Sequence, residues 1–370
     1  MIVGAGIGGL TAAVALQRAG REVAVFEQLD RLLELGAGFT LNSNAVTALR
    51  DVGLDGTVAE RGAVLTQFVH RTQKGKVLAT WATGGIGERL GAPIVGMSRP
   101  EIQRILVEAL DGVEIHFGHR FESLTQDDAG VTARFANGAE ERGAVLVGAD
   151  GSQSAVRVVF DPTPRRYSGY TTWLALSDLQ AFAPGAHTQW YGNRSIVGSH
   201  PVGDGRSYWY AGLTVPPGGR DGDTKRELRE LFGDWHEPVP AMIEATPMIN
   251  RSDIYDLPRR ESWGQGRVTL LGDAAHPMAP ALGQGACQAI EDAIILARHL
   301  HDGERDDEAL RRYERERIAR TAPIVKRAGM QGKLMQGDNA AIRAARYASF
   351  KFAPKSKVLQ SFQKLLTFPG

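Results

Sequence analysis

Four glycines in six residues, Gly4-Ala5-Gly6-Ile7-Gly8-Gly9, follow an apolar start of Met1, Ile2 and Val3 and run straight into LTAAVALQRAG. Few folds accept that order of strand, glycine turn and helix. Gly4 permits the tight turn, Gly6 lets the backbone approach a pyrophosphate, and Gly9 lets the helix pack on the strand, with Gly8 on the same turn. Gly20 stands where the helix should stop, and Val23 to Phe26 read as a second buried parallel strand. A parallel start of this kind implies an α/β chain with a Rossmann-like sheet. The helix N-terminus offers unpaired N–H groups to phosphates. Glu27, followed by Gln28, closes the second strand. A carboxylate there accepts both ribose hydroxyls of an adenosine and disfavours a 2′-phosphate. By itself the motif serves FAD and NAD alike. Because a strand usually has about 5–6 residues, we expect a short first strand or a natural start a few residues before Met1.

At 370 residues the chain exceeds the usual size of a single core, so one large domain or two intimately shared ones are expected. A net charge of +1 gives no footprint for nucleic acid. The one cysteine, Cys287, rules out an internal disulfide and fits a reducing cytoplasm; buried packing explains it best. No signal peptide and no run of 18 apolar residues is present, so neither secretion nor a membrane span is expected.

Residues 36–55, GAGFTLNSNAVTALRDVGL and its flank, read as an extended run, an Asn-Ser-Asn cap cluster and a short helix. Residues 63–82 alternate like antiparallel strands around a Lys74-Gly75 turn, 99–110 form a helix, and 113–136 a small meander. From Arg166 to Arg260, aromatic-rich runs such as HTQWYG and RSYWYAGL alternate with Gly/Pro turns, the mark of a separate sheet inserted into the first domain. The expected division is a cofactor domain of 1–62, 95–165 and 261–335, a substrate-binding sheet of 63–94 and 166–260, and a helical, basic tail of 336–370. That tail carries Arg343, Arg346, Lys351, Lys355, Lys357 and Lys364. Its interspersed Tyr347, Phe350, Phe352 and Phe362 favour packing along the body over contact with an anionic membrane.

Two later segments repeat the logic of the first. Val147-Gly148-Ala149-Asp150-Gly151 is a buried strand ending in an Asp-Gly turn, followed by Ser154 and Arg157 at a helix start; read alone, Asp150-Gly151 is equally a plain turn. Val268 to Leu271 is a strand that ends on Gly272-Asp273. A loop with Pro277, Pro280, Gly283 and Gly285 follows, and a helix beginning between Gly283 and Ala286 presents its positive end to that loop. Asp273 is placed to bind a sugar-like hydroxyl chain or to cap the turn. There is no metal-ligand spacing and no Gly-x-Ser-x-Gly elbow.

Together the motifs GAGIGG, Glu27, GAGFTLNSN, SRPEIQRIL, VGADGSQSAVR and LLGDAAHPMAPALGQGACQAIEDA, in this order, resemble the FAD-dependent aromatic hydroxylases. This is the para-hydroxybenzoate hydroxylase-like family, which includes salicylate-hydroxylase-like and zeaxanthin-epoxidase-like members. The resemblance implies a glutathione-reductase-type FAD domain with an inserted mixed β-sheet and C-terminal helices. It implies that Gly4, Gly6, Gly8, Gly9, Glu27, Gln28, Gly38, Arg99, Gln103, Asp150, Gly151, Arg157, Asp273, Gly283, Gly285 and Ala286 serve the cofactors. FAD would be resident, with NADH or NADPH as a transient co-substrate at a surface groove. The reaction implied is transfer of one oxygen atom from O2, through a flavin hydroperoxide, to an aromatic or heteroaromatic small molecule. The rivals are epoxidation of an isoprenoid or polycyclic alkene, and a flavin-binding tailoring protein without oxygenase turnover. A monomer or homodimer is expected.

A phenolic substrate is activated by losing its proton, so a base or hydrogen-bond relay helps. The candidates are Tyr208 and Tyr210, on one strand face with Trp209 on the other, and His200 on a neighbouring strand. Pro277 to Gly285 would line the cavity, with Pro277 beside the reacting centre, while His276 shapes the loop. Urate-hydroxylase-type relatives carry an Asp where this chain has Ala281 and an Arg where it has Ile196, while Tyr208 is kept. A less polar pocket is therefore expected.

Overall fold

The computed structural model describes residues 1–32, 37–179, 183–218, 222–301, 305–337, 339–352 and 355–369. Gly36, the first residue of the GAGFTLNSN run, lies outside them. Five parallel strands form the first sheet, in the order Val268–Leu270, Leu146–Gly148, Ile2–Val3, Val25–Phe26, Ile115–His116. The three motif-bearing strands are thus neighbours, in register Val268–Leu146 and Val147–Ile2. Each is only two or three residues long and fully buried, so apolar contact from both faces holds what few ladder bonds cannot. The loops after these strands all leave from one edge, where ligands of open α/β sheets bind.

Helix Ile7–Arg18 crosses from the first strand to the second and packs against helix Gly285–His301. Gly4 has φ +108°, and a Cβ there would lie 2.5 Å from the Ala149 carbonyl oxygen, so only glycine fits the turn. The meander runs Phe121–Asp127, Gly130–Phe135, Glu140–Gly143, one strand further than the pattern suggested.

The second large sheet has seven strands: Asn250–Asp256, Arg166–Ser177, Ser207–Leu213, Ser195–Pro201, Ala186–Tyr191, Gln67–Thr72 and Val77–Ala82. All neighbours are antiparallel except Ala186–Tyr191 with Gln67–Thr72, which run parallel and join the two separated stretches of sequence. One face buries Trp173, Trp190 and Trp209 against Leu228, Phe232 and Met242 of the helices Thr224–Phe232 and Val239–Ala245. Strand alternation turns Tyr208 and Tyr210 to the other face, as expected.

The Asn-Ser-Asn cluster departs from its expected role. Asn42 sits at the N-terminus of helix Ser43–Leu49 but makes no side-chain cap. Instead its amide donates to the Gly283 carbonyl (3.0 Å), and that of Asn44 donates to Glu291 Oε1 (2.6 Å) and Gln284 Oε1 (3.1 Å). These bonds tie the helix to the start of Gly285–His301, where partners 240 residues away outcompete the local backbone.

Candidate active site

The candidate cofactor end lies at the edge shared by the three short strands. A Cβ placed on Gly6 meets nothing within 4 Å, so the first turn of the helix faces an open cradle. Gly8 differs: its free direction is filled by Leu271 at 2.6 Å, which makes it a packing glycine between helix and sheet. The Glu27 carboxylate accepts from the backbone N–H of Ala5 (2.8 Å) and Leu29 (3.0 Å), which fixes its direction and leaves further acceptor capacity. Gln28 is exposed beside it. Gln103 is buried and its amide donates to the Ala5 carbonyl (3.4 Å), so it braces the glycine turn. Arg99 is exposed at the start of helix Arg99–Glu108; Ser98 supplies the cap there, not the arginine.

Asp150 accepts from the N–H of Ala155 (2.7 Å) and Val156 (3.1 Å) with one oxygen, capping helix Ala155–Phe160; its other oxygen is buried with no partner among the described residues. Arg157 is buried and donates to the carbonyls of Ala274 and Ser152, both at 3.2 Å, while its Nε has no partner among the described residues. The two residues thus brace the edge, each with one polar atom to spare. Gly151, at φ +79°, turns the chain between them.

Asp273 is exposed to solvent yet surrounded by protein mass. Desolvation pushes its carboxyl above the ordinary range, partly offset by His276 and Arg99. A Cβ on Gly285 would stand 3.9 Å from Asp273 Oδ1, so the carboxylate lies at the N-terminus of helix Gly285–His301. Gly285 and Ala286 open that helix, where N–H groups have no intrahelical partner. Behind them is a buried network. Asp292 Oδ2 pairs with His276 Nε2 (2.6 Å) and accepts from the Gly272 N–H (2.8 Å). Arg317 donates to Asp292 (2.6 Å) and Glu291 (2.8 Å). His276 therefore shapes the loop, as expected.

Where the seven-stranded sheet faces this loop there is a cavity of about 410 Å³. Tyr208, Tyr210 and His200 all line it, with Ala281, Gly283 and Ile196. Pro277 does not: it is buried beneath the loop, and the wall is made by Pro280, Ala281, Leu282 and Gly283. The 3-10 turn Pro280–Leu282 swings these residues outward and leaves Pro277 behind. Gly38 joins the two ends, because a Cβ there would lie 2.5 Å from Tyr208 Cβ.

Among the described residues the Tyr208 hydroxyl makes no hydrogen bond, whereas Tyr210 Oη is held by the Gln189 amide and by His187 (3.1 Å). The ladder continues from Gln189 to Tyr191 (2.6 Å) and His70 (2.9 Å). Burial raises the Tyr208 and Tyr210 hydroxyls, so both stay protonated at neutral pH. His200 donates from Nδ1 to the Pro201 carbonyl (2.9 Å) and accepts at Nε2 from Thr40 (3.2 Å). Burial lowers it to about 4, which makes it a weak base at neutral pH and a fixed neutral partner instead. His187, Gln189 and Tyr191 escaped the sequence reading although they alternate along HTQWY as Tyr208 and Tyr210 do along SYWY. The Thr40–His200 bond spans 160 residues and left no local signal.

A parallel nucleotide-type sheet with an aromatic-lined cavity in the same chain marks a dinucleotide-cofactor protein. The chain belongs to the FAD binding domain family, whose model matches residues 1–328, and it is an FAD-dependent monooxygenase. It is 39% identical over 346 residues to an aurachin C monooxygenase/isomerase of Stigmatella aurantiaca, covering 92% of this chain and 90% of that one. An FAD-dependent urate hydroxylase of Klebsiella pneumoniae is 33% identical over 360 residues, covering 95% and 94%. The crystal structure of Klebsiella pneumoniae HpxO complexed with FAD and uric acid superposes with a TM-score of 0.93 at 31% identity, covering 99% and 96%.

Proposed function

We propose that this enzyme hydroxylates an aromatic or heteroaromatic small molecule less polar than urate, with NADH or NADPH as reductant and O2 as oxidant. Bound FAD supplies the hydride acceptance and the oxygen activation. The observation that carries the reading is the Tyr208 hydroxyl, unpartnered among the described residues in a cavity walled by the flavin-side loop Pro280–Gly283. A protonated tyrosine there donates to a ring oxygen and orients the ring. His200 and Thr40 hold the neighbouring wall in one neutral hydrogen-bonding state.

At the cofactor end, Gly6 and the N-terminus of Ile7–Arg18 would take the pyrophosphate and Glu27 the adenosine ribose. Asp273 and Arg99 would take the chain toward the ring. The open cradle at Gly6 and the unpaired polar atoms of Asp150 and Arg157 fit such a ligand. The N-terminus of Gly285–His301 would stabilise negative charge on a ring held there. Ala281 and Ile196 put no charge over the cavity, which supports an uncharged substrate ring. We place the enzyme in the cytoplasm, where a single cysteine is at home, as a monomer or homodimer.

The test is a screen of phenols and hydroxylated heteroaromatics for stimulated NAD(P)H oxidation, with peroxide measured in parallel. Stoichiometric hydroxylated product from at least one ring substrate is expected. FAD-replete protein that shows no stimulation by any ring, or that oxygenates only alkenes, would overturn the reading.

A further inference from the structure

The cavity is far larger than one ring needs. Tyr208 and Trp81 both line it, yet they stand on strands four steps apart: Ser207–Leu213, Ser195–Pro201, Ala186–Tyr191, Gln67–Thr72, Val77–Ala82. At about 4.8 Å per strand that is about 19 Å along the sheet. A row of ring contacts marks the path, from His200 to His187 (5.0 Å), Phe68 (4.4 Å), His70 (6.4 Å) and Trp81 (4.3 Å). Benzene fills an apolar cavity of about 150 Å³. A ring beside Tyr208 therefore leaves well over half of the 410 Å³ empty.

The far end differs in chemistry from the near one. Its apolar walls are Trp81, Ile86, Ile94, Phe350, Phe362 and Leu366, with His70 a polar member between Trp81 and Phe350. Half of the apolar residues come from the C-terminal helices Ala340–Phe352 and Lys355–Leu366, beyond residue 328 where the family match ends. These helices are pinned by arginines that donate to backbone carbonyls. Arg346 is fully buried and donates to Gly192 (2.9 Å) and Met335, with its guanidinium 5.3 Å from the Tyr191 ring. Arg320 donates to the carbonyls of Leu365 (3.0 Å) and Thr367 (2.9 Å). The basic tail, expected to pack along the body, also supplies a cavity wall.

We propose that the far end is a second substrate subsite, which takes a hydrocarbon substituent on the ring bound beside Tyr208, and that Phe350, Phe362 and Leu366 set its length. This rests on the aromatic-hydroxylase reading for the near end. The walls are apolar apart from His70, which burial keeps neutral, so a ring-borne charge finds no counter-charge there and burying one would be costly. A hydrocarbon chain is stabilised in proportion to the area it buries.

The experiment uses full-length, FAD-loaded enzyme and para-alkylphenols from methyl to octyl. Binding is read as perturbation of flavin absorbance, so that it does not depend on turnover. Affinity is expected to rise about fourfold per methylene until the far end is full. Leu366→Trp should move that limit to a shorter chain and Phe362→Ala to a longer one, with flavin content reporting that each variant is folded. A wild-type profile that is flat or falls with chain length overturns the subsite, whatever the variants do. A limit that neither folded variant moves overturns the assignment to the C-terminal helices. A rising profile without any stimulated NAD(P)H oxidation speaks against the hydroxylase reading alone.

Discussion

Replacing Arg317 by Met removes the only fully buried cation bonded to both Asp292 and Glu291 among the described residues, and its consequences run from core to site. All three side chains are fully buried, and removing one partner of a buried ion pair costs about 3–5 kcal/mol because a charge is left uncompensated. Glu291 would keep Arg320 at 3.2 Å and Asp292 would keep His276 at 2.6 Å, which puts the expected loss near the lower end, about 3 kcal/mol. Unfolding entropy of about 2.1 cal/mol/K per residue gives about 0.8 kcal/mol/K for 370 residues, hence a fall in Tm of about 4 °C. The pH dependence follows from Asp292. Burial raises its carboxyl, but His276 and Arg317 outweigh that and hold it below the ordinary value. A depressed carboxyl stabilises the fold above its unfolded pKa of about 3.9, and this stabilisation is lost as pH falls through the folded value. The difference between Arg317→Met and wild type should therefore be at full size from neutral pH down to about 4 and shrink only below that. Because Asp292 also holds the Gly272 N–H, flavin should dissociate more readily from the variant. Thermal melts by intrinsic and flavin fluorescence, at fixed FAD and several pH values, measure both effects. A Tm within about 1 °C of wild type at pH 7 with flavin retained would refute the reasoning, since it would mean that the cluster neutralises itself without the arginine.

Asp273→Ala should lose FAD on gel filtration, and unchanged occupancy would remove this carboxylate from the cofactor site. Tyr208→Phe should slow product formation or divert reducing equivalents to peroxide, while unaltered coupling would reduce Tyr208 to packing. Gly38→Ala should impair turnover and cost about 1–3 kcal/mol of stability, because its methyl would press on Tyr208 Cβ at 2.5 Å; an unaffected kcat/KM and Tm would mean the strand yields freely. Burial holds His70 near 3 and His200 near 4, so the unfolded chain takes up protons below about 6.5 that the folded chain refuses. Stability should fall as pH drops from 6.5 toward 4, and His70→Gln should flatten that slope; an identical slope would show that His70 titrates normally.

Local chemistry by itself determined the turns on which the proposed cofactor end rests. Gly4, Glu27, Asp150 and Asp273 each close a short strand or open a helix, and backbone geometry ties those roles to nearest neighbours in sequence. Period-two alternation likewise puts Tyr208 and Tyr210 on one face and Trp209 on the other. Tertiary structure alone decided which polar groups stay free. Asn42 and Asn44 are drawn from capping into distant bonds, Gly8 becomes packing, Pro277 is set beneath the loop, and His200 is made a weak base by burial. It also turned Phe350 and Phe362 from tail residues into cavity walls. An apolar side chain carries the same sequence signature whether it fills a core or faces a ligand, and only the packing of elements more than a hundred residues apart tells the two apart.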